Sequence, residues 1–315
     1  MDSSGYTSRR TDLQMQPWEQ EGISFPKMRA FHSAWLMYID GDEHKTLRQL
    51  VLGVVKSVAP SSVGALHIMS ESCAQGVLEE TGIDAMSLAW HRDFLGLTIV
   101  QQSEVLGHAQ RILLFFFFDE VPTGGVAELE GDIDCLHTWF ESEQFQEDGL
   151  MFRLKMAGVP VSTQLNIIID SLEPIRCALS TLLYQLASTA CKGMAPADMV
   201  QEVLRLYPPF RFINRMEVCP VSHGNQKTGI DLYKVNRDAS VFPNPHHFHP
   251  DTQSRRHMSF GYGRHSCPGA GVSVKFLEDV VQTLKGHQLA LLEGELETDK
   301  GFCRVKNLKI EVRAV

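Results

Sequence analysis

The chain has 315 residues, with 29 Lys and Arg against 38 Asp and Glu and a net charge of −9. An acidic chain lacks the clustered cations that phosphate contacts need, which excludes a nucleic-acid partner. Its 43% hydrophobic and 21% charged residues are the mixture of a globular protein with a buried core, not of a disordered chain, a collagen or a small disulfide scaffold.

In chain order, residues 1–24 are polar and turn-rich and read as a mobile arm without the apolar core of a secretory signal. Residues 42–58 have helical spacing, with Leu47, Val51, Val54 and Val55 on one face. Residues 100–118 form a further helix ending in four consecutive Phe. Ile112 to Phe118 is far shorter than the roughly 20 residues a bilayer requires, so it reads as buried core and not as a membrane anchor. Residues 119–131 are a loop that leads into another helix. Residues 161–190 read as one long apolar helix carrying Pro174 in its middle. Residues 196–206 form a short helix stopped by Pro208-Pro209. Residues 236–268 are rich in Pro, His, Asn and Gly with little periodicity, and a last helix runs from Gly269 to Lys285. Alternating Val305, Leu308, Ile310 and Val312 mark a hairpin strand. There is no internal repeat. The seven cysteines, at 73, 135, 177, 191, 219, 267 and 303, are scattered, odd in number and without C-x-x-C spacing. That argues for a reducing compartment, the cytoplasm, and against a disulfide framework or zinc site.

The segment that carries chemistry is Ser259-Phe260-Gly261-Tyr262-Gly263-Arg264-His265-Ser266-Cys267-Pro268-Gly269. A thiolate binds iron, and it needs positive potential and N–H donors to stay ionised. Cys267 stands just before a helix whose N-terminus supplies both. Gly263 and Gly269 would let backbone approach a flat macrocycle closely. Phe260 would pack on the sulfur, and His265 would donate to an anionic group such as a haem propionate. A small buried thiol is the commoner fate of a lone cysteine. Against it, the string F-x-x-G-x-[RH]-x-C-x-G arises by chance in such a chain on the order of once in several thousand.

This string resembles the haem-binding signature of the cytochrome P-450 family. Further motifs follow in the family's order. Glu202-Val203-Leu204-Arg205 resembles its E-x-x-R, followed by Leu206-Tyr207-Pro208-Pro209. Arg215 falls where the family has a propionate-binding Arg. Residues 236–238 and 242–248 resemble its meander, and Asp42 to Arg48 its bacterial-type His-x-x-x-Arg helix. The resemblance implies a mainly α fold with minor β (α+β) and one compact haem domain over residues 25–315. The cofactor would be haem b, with Cys267 as axial ligand of the iron and His44, Arg48, Arg215 and His265 on the propionates. Glu202, Arg205 and His247 would brace the meander.

The sequence departs from the family in two respects. Asp170-Ser171-Leu172-Glu173-Pro174 stands where the family has A/G-G-x-[DE]-T. The acid would be Glu173, but Pro174 replaces the alcohol that helps deliver protons to dioxygen. Proline frees the carbonyl of Asp170, so a kink with a water or ligand site over the iron is expected. Only 43 residues precede His44, and the segment between the Phe run and the long helix is short, so part of the family's N-terminal region and pocket roof is missing. Trp139, Phe140, Phe145, Met151, Phe152 and Met156 either line a reduced roof or belong to the core, and core is the expectation for each.

The function implied is a haem-thiolate monooxygenase acting on a small, mostly apolar, secondary-metabolite-like substrate. A ferredoxin or flavodoxin would dock near Arg255, Arg256, Arg264 and Lys275. The alternatives are a peroxide-dependent peroxygenase, a redox-neutral rearranging or coupling enzyme, and a non-catalytic haem protein.

Overall fold

The computed structural model describes residues 6–9, 11–58, 61–118, 121, 124–189, 194–218, 225–250, 252–298 and 301–315. Cys191 and Cys219 lie outside them. The elements run β1 (Tyr6–Thr7), α1 (Thr11–Gln20), α2 (Pro26–Ser33), α3 (Gly41–Ser57), α4 (Val63–Gln75), β2 (Val77–Glu79), α5 (Glu80–Leu95), α6 (Ile99–Phe118), α7 (Gly125–Ser142) and α8 (Leu150–Met156). They continue with α9 (Val161–Asp170), α10 (Leu172–Ser188), α11 (Pro196–Leu206), β3 (Phe212–Val218), β4 (Asn225–Asp231), α12 (Leu232–Val235), α13 (Ala270–Thr283), β5 (His287–Glu297) and β6 (Arg304–Ala314). The fold is mainly helical with minor β, as expected. Two antiparallel sheets have strand orders β1-β3-β4 and β2-β6-β5. The hairpin expected from the alternating tail is β5–β6, with Leu289 opposite Val312 and Leu291 opposite Ile310.

α10 is the central beam. It packs on α5, α11 and the β5–β6 hairpin, while α6, α7 and α9 pack against one another beside it. The Phe run closes α6: Phe115 is fully buried, edge-on to Phe116 and tilted against Phe25 and Trp18. No helix among the described residues is long and apolar enough to cross a membrane.

Within the segment expected to be an arm, residues 6–9 and 11–20 pack against the rest of the chain. β1 pairs with β3, and α1 buries Met15 completely and sets Trp18 edge-on to Phe25. The apolar side chains at 15 and 18, three apart, supply the helical face that composition alone hid. The roof aromatics divide as expected of core: Phe140, Phe145 and Met151 are buried, and Trp139 and Phe152 pack against them, but Met156 is exposed.

The expected long helix is broken. α9 stops at Asp170 and α10 restarts at Leu172, three residues before the position a simple Pro174 kink suggests. Pro174 has no N–H for the Asp170 carbonyl, so the turn between them cannot close. Ser171 takes up the break, its N–H and Oγ both donating to the Ile167 carbonyl at 3.2 and 2.8 Å.

The end of α5 and the start of α8 cross with backbones touching. A Cβ on Gly96 would lie 2.4 Å from the Gly149 Cα, and one on Gly149 would lie 2.5 Å from the Gly96 Cα. No side chain fits there. Gly149→Ala should therefore cost about 2 kcal/mol or more of stability, read as a lowered denaturation midpoint. An unchanged midpoint would mean the crossing is looser than this geometry.

Candidate haem site

The site is built from the cysteine loop outward. The loop is a reversed turn held by Cys267 N–H donating to the Phe260 carbonyl at 2.8 Å and Gly261 N–H to the Met258 carbonyl at 2.8 Å. Gly261 and Gly263 both have φ of +70°, the left-handed region that disfavours side chains. A Cβ on Gly261 would also press to 3.2 Å from the His265 carbonyl oxygen. Gly263 is therefore required by conformation rather than clearance, since a Cβ there would meet nothing. Gly261 was passed over because the motif reads it as a variable position.

Cys267 lies just ahead of α13, and its sulfur receives the Gly269 and Ala270 N–H groups. Protein packs around it, yet the residue is exposed, because its sulfur opens on a cavity of about 300 Å³. Burial pushes the thiol up to about 11, against the Gly269 and Ala270 N–H groups and the Arg48 charge, which draw it down.

One end of the cavity is cationic. Arg48 on α3 donates through Nη2 to the Ser266 carbonyl and hydroxyl, both at 2.8 Å, and its buried Nε has no partner among the described residues. The His265 ring stacks on the His44 ring with centroids 4.0 Å apart. Nε2 of His265 lies 3.1 Å from both Asp40 Oδ1 and Ser8 Oγ, while its Nδ1 is buried without a partner. Asp40 occupies the N-cap of α3 but turns its carboxylate away, taking hydrogen bonds from Thr7 Oγ1 and, at 2.7 Å, from the Ser8 N–H. Burial pushes the Asp40 carboxyl up, but these hydrogen bonds and His265 outweigh it and hold it below the ordinary range. Burial, and then the His265 and Arg48 charges, pull His44 down to about 4. Burial and the Arg215 charge lower His265 as well. Arg215, on β3, lines the same cavity.

Behind the loop, Glu202 and Arg205 are buried and joined by two hydrogen bonds of 2.7 Å. Arg205 also donates to the carbonyls of Asn236, Pro245, Asn244 and His247, and its guanidinium lies over the Phe242 ring. Glu202 accepts from the His249 N–H at 2.8 Å and from Ser254 Oγ at 2.6 Å. His247 thus takes part through its main-chain carbonyl, not its imidazole. Any residue could offer that carbonyl, which is why side-chain chemistry misread it. Ser254 and Asn236 were missed. Fully buried Asn236 accepts the Met258 N–H and donates to Ser259 Oγ, which donates to the Leu204 carbonyl.

On the other wall of the cavity, Asp170 at the end of α9 and Pro174 and Ala178 on α10 line it. Glu173 does not. Its carboxylate lies 3.3 Å from Arg176 and 3.6 Å from Arg304 and accepts from the Cys177 thiol. The acid on the cavity wall is Asp170, half-buried, which accepts from Trp35 Nε1 at 2.5 Å. Burial pushes it up to about 7 against that one hydrogen bond.

The sequence comparison agrees with this geometry: residues 197–275, from α11 through the cysteine loop into α13, match the cytochrome P450 family model. The whole fold is shared with solved structures of that family. P450BioI, in complex with an acyl carrier protein ligated to hexadec-9Z-enoic acid, superposes with a TM-score of 0.79 at 15% identity over 98% of this chain and 87% of that one. CalO2 gives 0.78 at 16% identity over 98% and 86%.

Residues 197–275 thus resemble the cytochrome P450 family in sequence, and the fold of the chain is the one its solved members share.

Protopine 6-monooxygenase of Papaver somniferum is 31% identical over 116 residues, 31% of this chain and 21% of that protein. Cytochrome P450-SOY of Streptomyces griseus is 30% identical over 106 residues, 32% of this chain and 26% of that protein. These matches span well under two thirds of the curated relatives.

Haem fits this cavity on its own geometry. A sulfur stands at a helix N-terminus, and a buried, unpartnered donor, Arg48 Nε, lines the cavity with Arg215 at its cationic end, where anionic propionates belong. Phe260 and Gly269 line the cavity beside the sulfur.

Two outcomes follow. His247→Ala should leave stability within about 0.5 kcal/mol, because only its carbonyl is used, whereas Ser254→Ala removes a buried donor to Glu202 and should cost roughly 1–3 kcal/mol. Urea denaturation compares the two, and a larger loss at 247 would restore a role for the imidazole. Asp170 titrates near 4 when unfolded, so below about pH 4 both states are protonated. Its penalty on folding grows as pH rises and is complete above about 7. Asp170→Asn keeps the acceptor for Trp35 and cannot ionise, so its stability relative to the parent should rise between pH 4 and 7. Parallel stability profiles across that window would contradict the burial of this carboxyl.

Proposed function

We propose that this chain is a cytoplasmic haem-thiolate oxidoreductase of the monooxygenase type that carries haem b and acts on a small, mostly apolar substrate. The observation that supports it most directly is the place of Cys267. Its sulfur stands at the start of α13 and opens on the same cavity as Arg215 and the unpartnered donor Arg48 Nε. Haem bound there would supply oxidising chemistry at iron, with the thiolate favouring O–O cleavage. The poppy relative's name, a monooxygenase, is in keeping with that class.

In this reading Cys267 is the axial ligand, Arg48, Arg215 and His265 bind the propionates as donors, and His44 holds the His265 ring from behind as a neutral partner. Phe260, Gly263 and Gly269 shape the surface under the macrocycle. Pro174 and Asp170 face the substrate side, with Asp170 in the acid position first given to Glu173. Glu202 and Arg205 hold the loop in place. A ferredoxin or flavodoxin would dock on the exposed Arg255, Arg256, Arg264 and Lys275, although Asp198 already pairs with Arg255 and Asp279 with Lys275, which dilutes the patch.

A second reading rests on Pro174. It occupies the cavity wall where the alcohol would stand and offers neither hydroxyl nor N–H, a setting that suits an oxidant arriving already reduced, such as hydrogen peroxide.

Carbon monoxide on the reduced protein should give the strongly red-shifted Soret band of thiolate ligation, absent in Cys267→Ala. A histidine-type band would overturn the ligand assignment. Substrate oxidation driven by peroxide without reductase would favour the second reading, and strict dependence on a reduced ferredoxin or flavodoxin the first.

A further inference from the structure

Two acceptors on the cavity wall are left without donors. Asp170 Oδ2 is taken by Trp35, but its Oδ1 is buried and unpartnered among the described residues. Asn166, one turn earlier on α9 and almost fully buried, donates through Nδ2 to the Phe31 carbonyl at 3.4 Å, and its Oδ1 is likewise unpartnered. That donor bond fixes which way the amide points, since the opposite orientation would set two oxygens together. Both residues line the cavity, and at i, i+4 their side chains stand about 6 Å apart. Among the described residues no cation acts on Asp170: burial and the Trp35 hydrogen bond account for its state. Ile175 and Ala178 continue the wall beyond them as apolar surface.

We propose that Asp170 and Asn166 recognise the protonated amine of the substrate, so that the substrate class is an alkylammonium head on an apolar skeleton. The inference rests on the reading of this cavity as the haem and substrate site. A hydroxyl has one proton to give and would answer one acceptor. An ammonium has three, and its charge compensates a carboxylate that the protein itself leaves unpaired. Above about pH 7, where Asp170 is ionised, an anion would meet two acceptors and be rejected.

The test uses three probes of one skeleton, 4-phenylbutylamine, 4-phenylbutanol and 4-phenylbutyrate, titrated by calorimetry and by Soret spectroscopy into the haem-loaded protein and into Asp170→Asn. The amine should bind at least about tenfold more tightly than the alcohol, with the acid weakest. The preference for the amine should fall to about threefold or less in Asp170→Asn, whose carbon monoxide band should stay in the thiolate position. Equal binding of amine and alcohol to the parent, with a water satisfying both acceptors, would overturn the proposal. So would a preference kept intact in Asp170→Asn, or a Soret shift showing the amine on the iron. Loss of the thiolate band in the parent defeats the haem reading instead, and the calorimetric ranking still reads the amine site.

Discussion

The buried pair of Glu202 and Arg205 is the constraint on which the site depends. Two charges taken out of water cost several kcal/mol each unless their geometry and remaining hydrogen bonds repay it. Here Arg205 gives its protons to one carboxylate and four main-chain carbonyls, and Glu202 takes two further donors. Irregular chain between residues 236 and 254 has no ladder of its own to satisfy its backbone, so the guanidinium serves as its internal partner. From there Asn236 hands the constraint on to Ser259, and Ser259 to the Leu204 carbonyl at the end of the same helix. The meander, α11 and the cysteine loop become one unit, and the sulfur is placed by a network that never touches it.

The two walls of the cavity are made by different physics. The cysteine side is held by hydrogen bonds and stacked rings, with the cations gathered at one end. The opposite wall is set by a broken helix. Losing one N–H at Pro174 divides the beam at Ser171, and residues 170, 174 and 178 then line the cavity while Glu173 turns to Arg176 and Arg304. A residue type one place along the chain thus exchanges a solvent-side ion pair for an enclosed carboxyl.

The cysteine side was legible in the sequence because its chemistry demands particular side chains at fixed spacing: a thiol, two flanking glycines, an E-x-x-R. The helices at 41–57, 99–118 and 196–206 were legible from periodicity. α4 and α5 were not assigned, because buried Ile83, Met86, Ala89 and Trp90 lie in a segment with weak contrast between faces. The roles of Ser254, Asn236 and the His247 carbonyl were hidden for another reason: each depends on a partner tens of residues away, and carbonyls carry no sequence signature. Asp170 was noticed for its freed carbonyl, while its carboxyl, the group that matters to the cavity, became visible only once the helix break fixed its direction.

Ser8 meets His265 across 257 positions of sequence. His265 lines the cavity at that end, so its place there rests on a partner far away in the sequence. A contact that spans so much chain carries a high loop-closure cost, so this corner of the cavity is held by non-local pairing rather than by any single helix.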